Sequence, residues 1–404
     1  MYEALAILAV FAFVYSVISG RLDRTPVNGP VVYLAFGVIA GPVGLGLLDL
    51  QVSSEGIRSI AELTLALVLF TDAANADLPV LRRTFHLPQR LLLIGLPLTI
   101  LLGFGAGVLL FPGLGLLEVA ILATMLAPTD AALGKAVVTN PAVPAQVREG
   151  LNVESGLNDG ICVPILFTFL ALATHASGGE STSGLTLRLV AEEIGIGALI
   201  GVGLAMMGAW ALRSTMRRGW IVDPWLGIPI VALAFGCFAL TQIAGGSGFI
   251  ACFTGGLIFG ALTKEHKQAV LAGAEGTGEA FALVTWVIFG AAVVLQHPGS
   301  LDWRVAAYAV LSLTVVRMLP VFVSVLGFGL PNDAKLFLGW FGPRGLASIV
   351  FLVIVAGEKL PGNDTLVATT VATVVLSIVA HGLTANPLAT AFAARAKSEP
   401  GGAG

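Results

Sequence analysis

The chain has 404 residues, 56% of them hydrophobic and only 11% charged, with 24 acidic and 21 basic side chains and a net charge of −3. A mean hydropathy of +0.93 over this length excludes an ordinary soluble domain. The long apolar runs lack strict alternation, which excludes a membrane β-barrel; the net charge says nothing about partners, because in a membrane protein its distribution matters and not its sum, and no nucleic-acid partner is expected.

The class is therefore an all-α polytopic membrane protein. The 50 glycines and 20 prolines fit it, since packed membrane helices tolerate both. About 13 apolar spans reach or approach the roughly 20 residues needed to cross a bilayer. They run near 2–19, 29–48, 57–76, 91–111, 116–138, 151–174, 188–212, 225–243, 247–263, 269–296, 303–328, 336–357 and 365–389. The first lacks a basic leader and a small-residue cleavage site, so it reads as a retained helix.

Loop cations alternate along the chain. One set of loops and span ends carries Arg21, Arg24, Arg82, Arg83, Arg90, Lys135, Arg148, Arg213, Arg217, Arg218, Lys264, Lys267 and Lys335, with Arg395 and Lys397 in the tail. The other set has only Arg58, Arg188, Arg304 and Lys359. Lys and Arg accumulate on the cytoplasmic side, so the C-terminus is expected in the cytoplasm of a cell whose inner membrane holds the chain, and the N-terminus outside. After the last span, residues 390–404 read as a short disordered tail ending in Gly-Gly-Ala-Gly. Regulation is then expected from the membrane part itself or from another chain.

Two spans are interrupted. The fifth contains Ala127-Pro128-Thr129-Asp130, and the twelfth contains Gly342-Pro343-Arg344-Gly345. Proline removes a backbone donor and, like glycine, weakens the helical ladder. Broken backbone at membrane depth persists only where it is buried in protein or lines a cavity. If spans 4–6 and 11–13 are inverted repeats, each break falls in the middle helix of its triplet, the pattern of a midplane site between repeats. The breaks carry opposite charges, Asp130 and Arg344, which can meet half-helix dipoles.

Residues 151–162 hold the strongest polar signal, Leu-Asn-Val-Glu-Ser-Gly-Leu-Asn-Asp-Gly-Ile-Cys. An ionised carboxylate at bilayer depth costs on the order of 3 kcal/mol or more, so such acids face a bundle interior or a wet cavity. Ser155 and Asp159 share a helical face, and Glu154 and Asn158 share a neighbouring one. Glu154 and Asp159 point about 140° apart, which implies different partners. Asp159 can take a proton or a cation in competition. Ser155, Thr129 and Asp130 supply further oxygen ligands of the kind hard cations prefer. Asp72 at the end of span 3 either borders the same cavity or is an interfacial acid. Glu154 needs a cation; Arg317, before an expected break at Pro320, is favoured, leaving Arg344 to the span-12 break, although the reverse pairing stays open.

Nothing points to an enzyme or to a cofactor. His86, His175, His266, His297 and His381 lack metal-ligand spacing, no Walker motif is present, and Cys162, Cys237 and Cys252 read as packing residues.

Pro128-Thr129-Asp130, Glu154-Ser155-x-x-Asn158-Asp159-Gly160 and Gly342-Pro343-Arg344-Gly345 resemble the NhaP/NHE-like branch of the monovalent cation–proton antiporters. The likeness covers essentially the whole chain. It implies a homodimer with a single transmembrane domain, 1–389, in which spans 4–6 and 11–13 form a mobile core. Within that core, spans 5 and 12 cross beside span 6, and the remaining spans serve mainly as dimer scaffold. It also implies exchange of Na⁺ (or Li⁺) for H⁺ by an elevator-like movement, with Asp159, Asp130, Thr129 and Ser155 around the ion and Asp72 able to join them. Asn158, where the electrogenic branch has Asp, resembles the electroneutral members, and the Glu154–arginine pair is a structural element of that branch. Ala131 departs from the second proline often found after Thr-Asp. K⁺/H⁺ exchange on the same scaffold is the near alternative. A cation channel lacks a recognisable carbonyl filter or ring of acids, and a non-transporting sensor would need an output domain.

Overall fold

The computed structural model describes residues 2–22, 27–48, 54–76, 86–130, 143–177, 183–222, 225–263, 267–292 and 302–398, with single positions 25, 133 and 137. Among the described residues there are 14 helices and no strand. In chain order they are α1 (Tyr2–Leu22), α2 (Gly29–Ala40), α3 (Ser54–Asn75), α4 (His86–Leu110), α5 (Leu116–Met125), α6 (Ala145–Ser177) and α7 (Ser183–Arg217). Then come α8 (Ile228–Ile243), α9 (Gly248–Leu262), α10 (Lys267–Ala292), α11 (Trp303–Ser324), α12 (Asn332–Trp340), α13 (Leu346–Gly357) and α14 (Asn363–Ser398). Among the described residues six helices are long and apolar enough to cross a membrane: α1, α4, α6, α7, α11 and α14.

Each expected span contains a helix, but α2 ends at Ala40 and leaves 41–48 in turns, and the twelfth is two helices, α12 and α13, parted at 341–345. The fifth stops at Met125, and its continuation near 131–138 lies largely outside the described residues, as do Ala131, Arg24, Arg82, Arg83, Lys135 and Lys264. Two expectations are corrected. Residues 390–398 are helical, as an Ala- and Lys/Arg-rich stretch favours. In α11 the helix continues through Pro320, and the interruption falls at Thr314 (φ −109°, ψ −95°). The Thr314 hydroxyl donates to Val310 O at 2.6 Å, a back-bond of the kind that bends helices.

The chain divides into two compact units. The first comprises residues 1–57, 86–158 and 283–404, and so holds both interrupted spans, α4, α11, α14 and the start of α6. Within it α4 packs on α5 and α11, and α14 packs on α11 and α13. Leu91, Leu151, Val321, Phe337 and Leu338, all buried, form part of one apolar cluster joining α4, α6, α11 and α12. The Tyr308 hydroxyl of α11 donates to Gly103 O of α4 at 3.2 Å.

The second unit comprises residues 58–85 and 159–282, built on α7, α8 and α9 with most of α3 and the later part of α6. Lipid offers no hydrophobic drive between helices, so association rests on close backbone approach. Gly256 and Gly260 let α9 lie directly against Phe70 O and Ala74 O of α3, where a Cβ would collide. On α6, Gly160 leaves room for the Phe253 ring of α9.

Candidate functional site: two interrupted helices and the α6 polar run

In the first unit the two breaks are bonded to each other. Asp130 N–H donates to Pro343 O at 2.8 Å, and the Asp130 carboxylate accepts from Leu346 N–H at 2.9 Å. Asp130 thus sits at the N-terminus of α13, where unpaired amides and the helix dipole favour a negative group. Gly345 is required beside it, because a Cβ there would collide with the Asp130 carboxylate. Ser348, one turn into α13, donates to Met125 O at the end of α5 (2.8 Å).

Arg344 is fully buried and reaches back across the first break. Its Nη1 donates to Ala127 O (3.0 Å) and Pro128 O (3.3 Å), two carbonyls released where α5 ends. The guanidinium therefore serves the carbonyls of the fifth span, as well as Gly342 O in its own segment at 3.4 Å. Glu154 is left to Arg317: the pair is bidentate, with Nη2 2.8 Å from Oε2, and both residues are about 1% exposed. This settles which arginine the acid uses, and gives it a bond geometry that planar guanidinium favours.

Thr129, Ser155 and Asn158 come together. The Thr129 and Ser155 hydroxyls lie 2.9 Å apart, and Asn158 Nδ2 donates to Thr129 Oγ1 at 2.7 Å. All three are buried, and Asn158 Oδ1 has no hydrogen-bond partner. A buried acceptor left over in an oxygen cluster is suited to a cation or an ordered water. Asp159 follows Asn158 on α6, one turn beyond Ser155, and is 8% exposed. Asp72 is half-buried in the last turn of α3 and, with Asp159, is assigned to the second unit.

Three acids elsewhere in the chain have local partners. Glu62 pairs with Arg58 and Glu192 with Arg188, each at i,i+4, while Glu275 accepts from Asn75 Nδ2 at 2.8 Å. No cluster of three or more His, Cys, Asp or Glu able to hold a metal occurs among the described residues. Sequence reasoning passed over Ser348, Ser377, His381 and Glu118. Ser377 Oγ accepts the Arg344 main-chain N–H at 2.7 Å, and His381 stands one turn further along α14. Glu118, also buried, accepts from Gly115 N–H at 2.8 Å and Gly362 N–H at 2.6 Å, tying the start of α5 to the start of α14. Serine and histidine inside an uncharged last span are the available signal for the Ser377–His381 turn.

A family model described as "Sodium/hydrogen exchanger, transmembrane" matches residues 7–391. The chain is 24% identical over 360 residues to a K(+)/H(+) antiporter NhaP2 of Shewanella sp. (strain ANA-3), covering 88% of this chain and 61% of that protein. It is 25% identical over 379 residues to a Na(+)/H(+) antiporter of Saccharomyces cerevisiae, covering 88% of this chain and 38% of the yeast protein. The chain thus spans less than two thirds of either relative's length. A solved structure of the sodium proton antiporter MjNhaP1 from Methanocaldococcus jannaschii shares the fold, with a TM-score of 0.78 at 19% identity over 99% of both chains.

Proposed function

Because the chain belongs to the sodium/hydrogen exchanger family, we propose that it is an electroneutral, secondary-active antiporter exchanging Na⁺ (or Li⁺) for H⁺ across a membrane. The observation that carries this reading is the buried Thr129–Ser155–Asn158 oxygen cluster, formed where an interrupted helix meets α6 and followed on α6 by Asp159. Asp159 is the exchanged carboxylate: it holds a proton or a cation, and Thr129, Ser155 and Asp130 complete an oxygen shell with Asp72 as a further member. A site left with uncompensated charge does not cross a low-dielectric path, whereas a protonated or cation-loaded one does. That difference yields coupling without a separate signal between sites.

The charge count supports one cation for one proton. Glu154 is neutralised by Arg317, Asp130 is held at the α13 N-terminus and position 158 is a neutral amide, which leaves the exchange to Asp159. The working protein is a homodimer in the cell inner membrane, with its N-terminus outside and C-terminus in the cytoplasm, as the loop cations indicate. K⁺/H⁺ exchange is the second reading, favoured by the description of the Shewanella relatives as K(+)/H(+) antiporters. Oxygen ligands alone do not fix the ionic radius accepted.

The test is a ΔpH-quenching assay in proteoliposomes with the potential clamped, adding Na⁺, Li⁺ and K⁺ in turn. Dissipation by Na⁺ or Li⁺ supports the first reading, and dissipation by K⁺ alone selects the second. No response to any of the three overturns antiport.

A further inference from the structure

We propose that His381, acting with Ser377, is a positioning residue for cation binding, because its turn of α14 clamps both ends of the interrupted segment 341–345 on which Asp130 and Thr129 are seated. The inference rests on the antiport reading above.

The clamp consists of three contacts from successive turns of one helix. His381 Nε2 lies 2.9 Å from Trp340 O, the last residue of α12, whose carbonyl also accepts Gly342 N–H at 2.8 Å inside the break. Ser377 Oγ accepts the N–H of Arg344 at 2.7 Å, on the α13 side of the same break. Thr384 Oγ1 accepts Trp340 Nε1–H at 3.0 Å, and the Trp340 and His381 rings lie 5.0 Å apart. His381 and Ser377 are essentially unexposed, at 1% and 0%.

The imidazole does something no apolar ring of that size could do. Both ring nitrogens face carbonyls, Nε2 at 2.9 Å from Trp340 O and Nδ1 at 2.8 Å from Ser377 O, and a neutral ring donates to one of them. In the tautomer proposed, Nε2 donates to Trp340 O, which leaves Nδ1, 3.2 Å from Ser377 Oγ, to accept the serine hydroxyl proton. The serine oxygen is then turned to receive the Arg344 N–H. The Ser377 carbonyl, 2.8 Å from Nδ1, is already within the hydrogen-bonded ladder of α14. One side chain thus gives the α12 carbonyl a second donor and orients the group that satisfies the α13 amide.

What the clamp holds is the platform under the ion ligands. Pro343 O and Leu346 N–H fix Asp130, and the Arg344 guanidinium fixes Ala127 O and Pro128 O, the two residues before Thr129. A shift in 341–345 is therefore passed to Asp130 and Thr129 without His381 touching the cation. Ligand geometry governs cation affinity, so the damage belongs in KM and not in the amount of folded protein.

The experiment measures exchange in proteoliposomes against cation concentration, for whichever of Na⁺, Li⁺ or K⁺ the wild type transports. It compares wild type, His381→Phe, His381→Gln and Ser377→Ala, with thermal stability of the purified proteins in parallel. Loss of one or two hydrogen bonds predicts a KM increase of about three- to tenfold in His381→Phe and Ser377→Ala, with the maximal rate per folded protein preserved. His381→Gln, which keeps an N–H donor and a carbonyl acceptor, is expected to restore most of the affinity. If His381→Phe does not reach the membrane folded, Ser377→Ala decides the matter. Wild-type KM in Ser377→Ala and in folded His381→Phe overturns the proposal, and so does a Gln variant as impaired as the Phe one. A wild type that exchanges none of the three cations instead removes the antiport reading, and this inference falls with it.

Discussion

Removing Arg317 tests how strongly the buried acid of α6 depends on its partner. Arg317→Met keeps much of the side-chain length and discards the charge, leaving the Glu154 carboxylate at 1% exposure without its bidentate guanidinium. Breaking a buried ion pair by removing one partner costs about 3–5 kcal/mol, because the surviving charge is stranded out of water. Glu154→Gln strands the other charge and is expected to be destabilising as well. The double variant Glu154→Gln/Arg317→Met strands neither, and uncharged replacements of buried pairs are often close to neutral. The expected result is a positive coupling: each single variant lowers the melting temperature of purified protein by on the order of 5–10 °C, and the double variant recovers most of that loss. Thermal unfolding of the four proteins closes the cycle. Singles that melt within about 1 °C of wild type, or losses that simply add in the double variant, would refute the reasoning.

Asp159→Asn is expected to abolish exchange while the protein elutes and melts as wild type does; retained exchange excludes Asp159 as the carrier. Asn158→Asp is expected to leave transport insensitive to membrane potential as long as Glu154 stays paired with Arg317, and a potential-dependent current from reconstituted protein would count against the charge count proposed. Gly345→Ala drives a Cβ into the Asp130 carboxylate and should raise the cation KM by about tenfold or more, whereas Gly236→Ala, with nothing within 4 Å, serves as the neutral control. Equal KM values in the two alanine variants would show that Asp130 can move without consequence.

The helix interruptions were legible because proline and glycine act locally: Pro128 and the Gly342-Pro343 pair remove or weaken helical hydrogen bonds wherever the rest of the chain lies. Pro320 shows the limit of that logic. A proline's missing donor can be tolerated within a helix, and in α11 the interruption instead falls at Thr314, whose hydroxyl back-bonds to Val310 O. Charge says that Glu154 needs a cation, but spacing along a chain says little about which of two helices faces it; the bidentate contact selects Arg317 over Arg344. His381 was harder still. A search for histidines with ligand spacing asks what the ring could coordinate, whereas this ring serves a backbone carbonyl of a helix end 41 residues away.

That difference points to what an interrupted helix demands. Each break releases main-chain groups that neither water nor lipid can satisfy at membrane depth. Here they are answered one by one: Ala127 O and Pro128 O by Arg344, Met125 O by Ser348, Asp130 N–H by Pro343 O, Leu346 N–H by Asp130, Arg344 N–H by Ser377 and Trp340 O by His381. Most of the polar side chains around the breaks are consumed in this way, so their charge or hydroxyl is a poor guide to a role in binding. Asn158 Oδ1 differs: among the described residues it is a buried acceptor with no hydrogen-bond partner, placed in the Thr129–Ser155 cluster. A cation that is to be released again needs oxygens the scaffold has not already engaged. By this criterion Arg344, despite its position at a break, belongs to the scaffold, whereas the proposed cation site keeps an unengaged acceptor in Asn158 Oδ1.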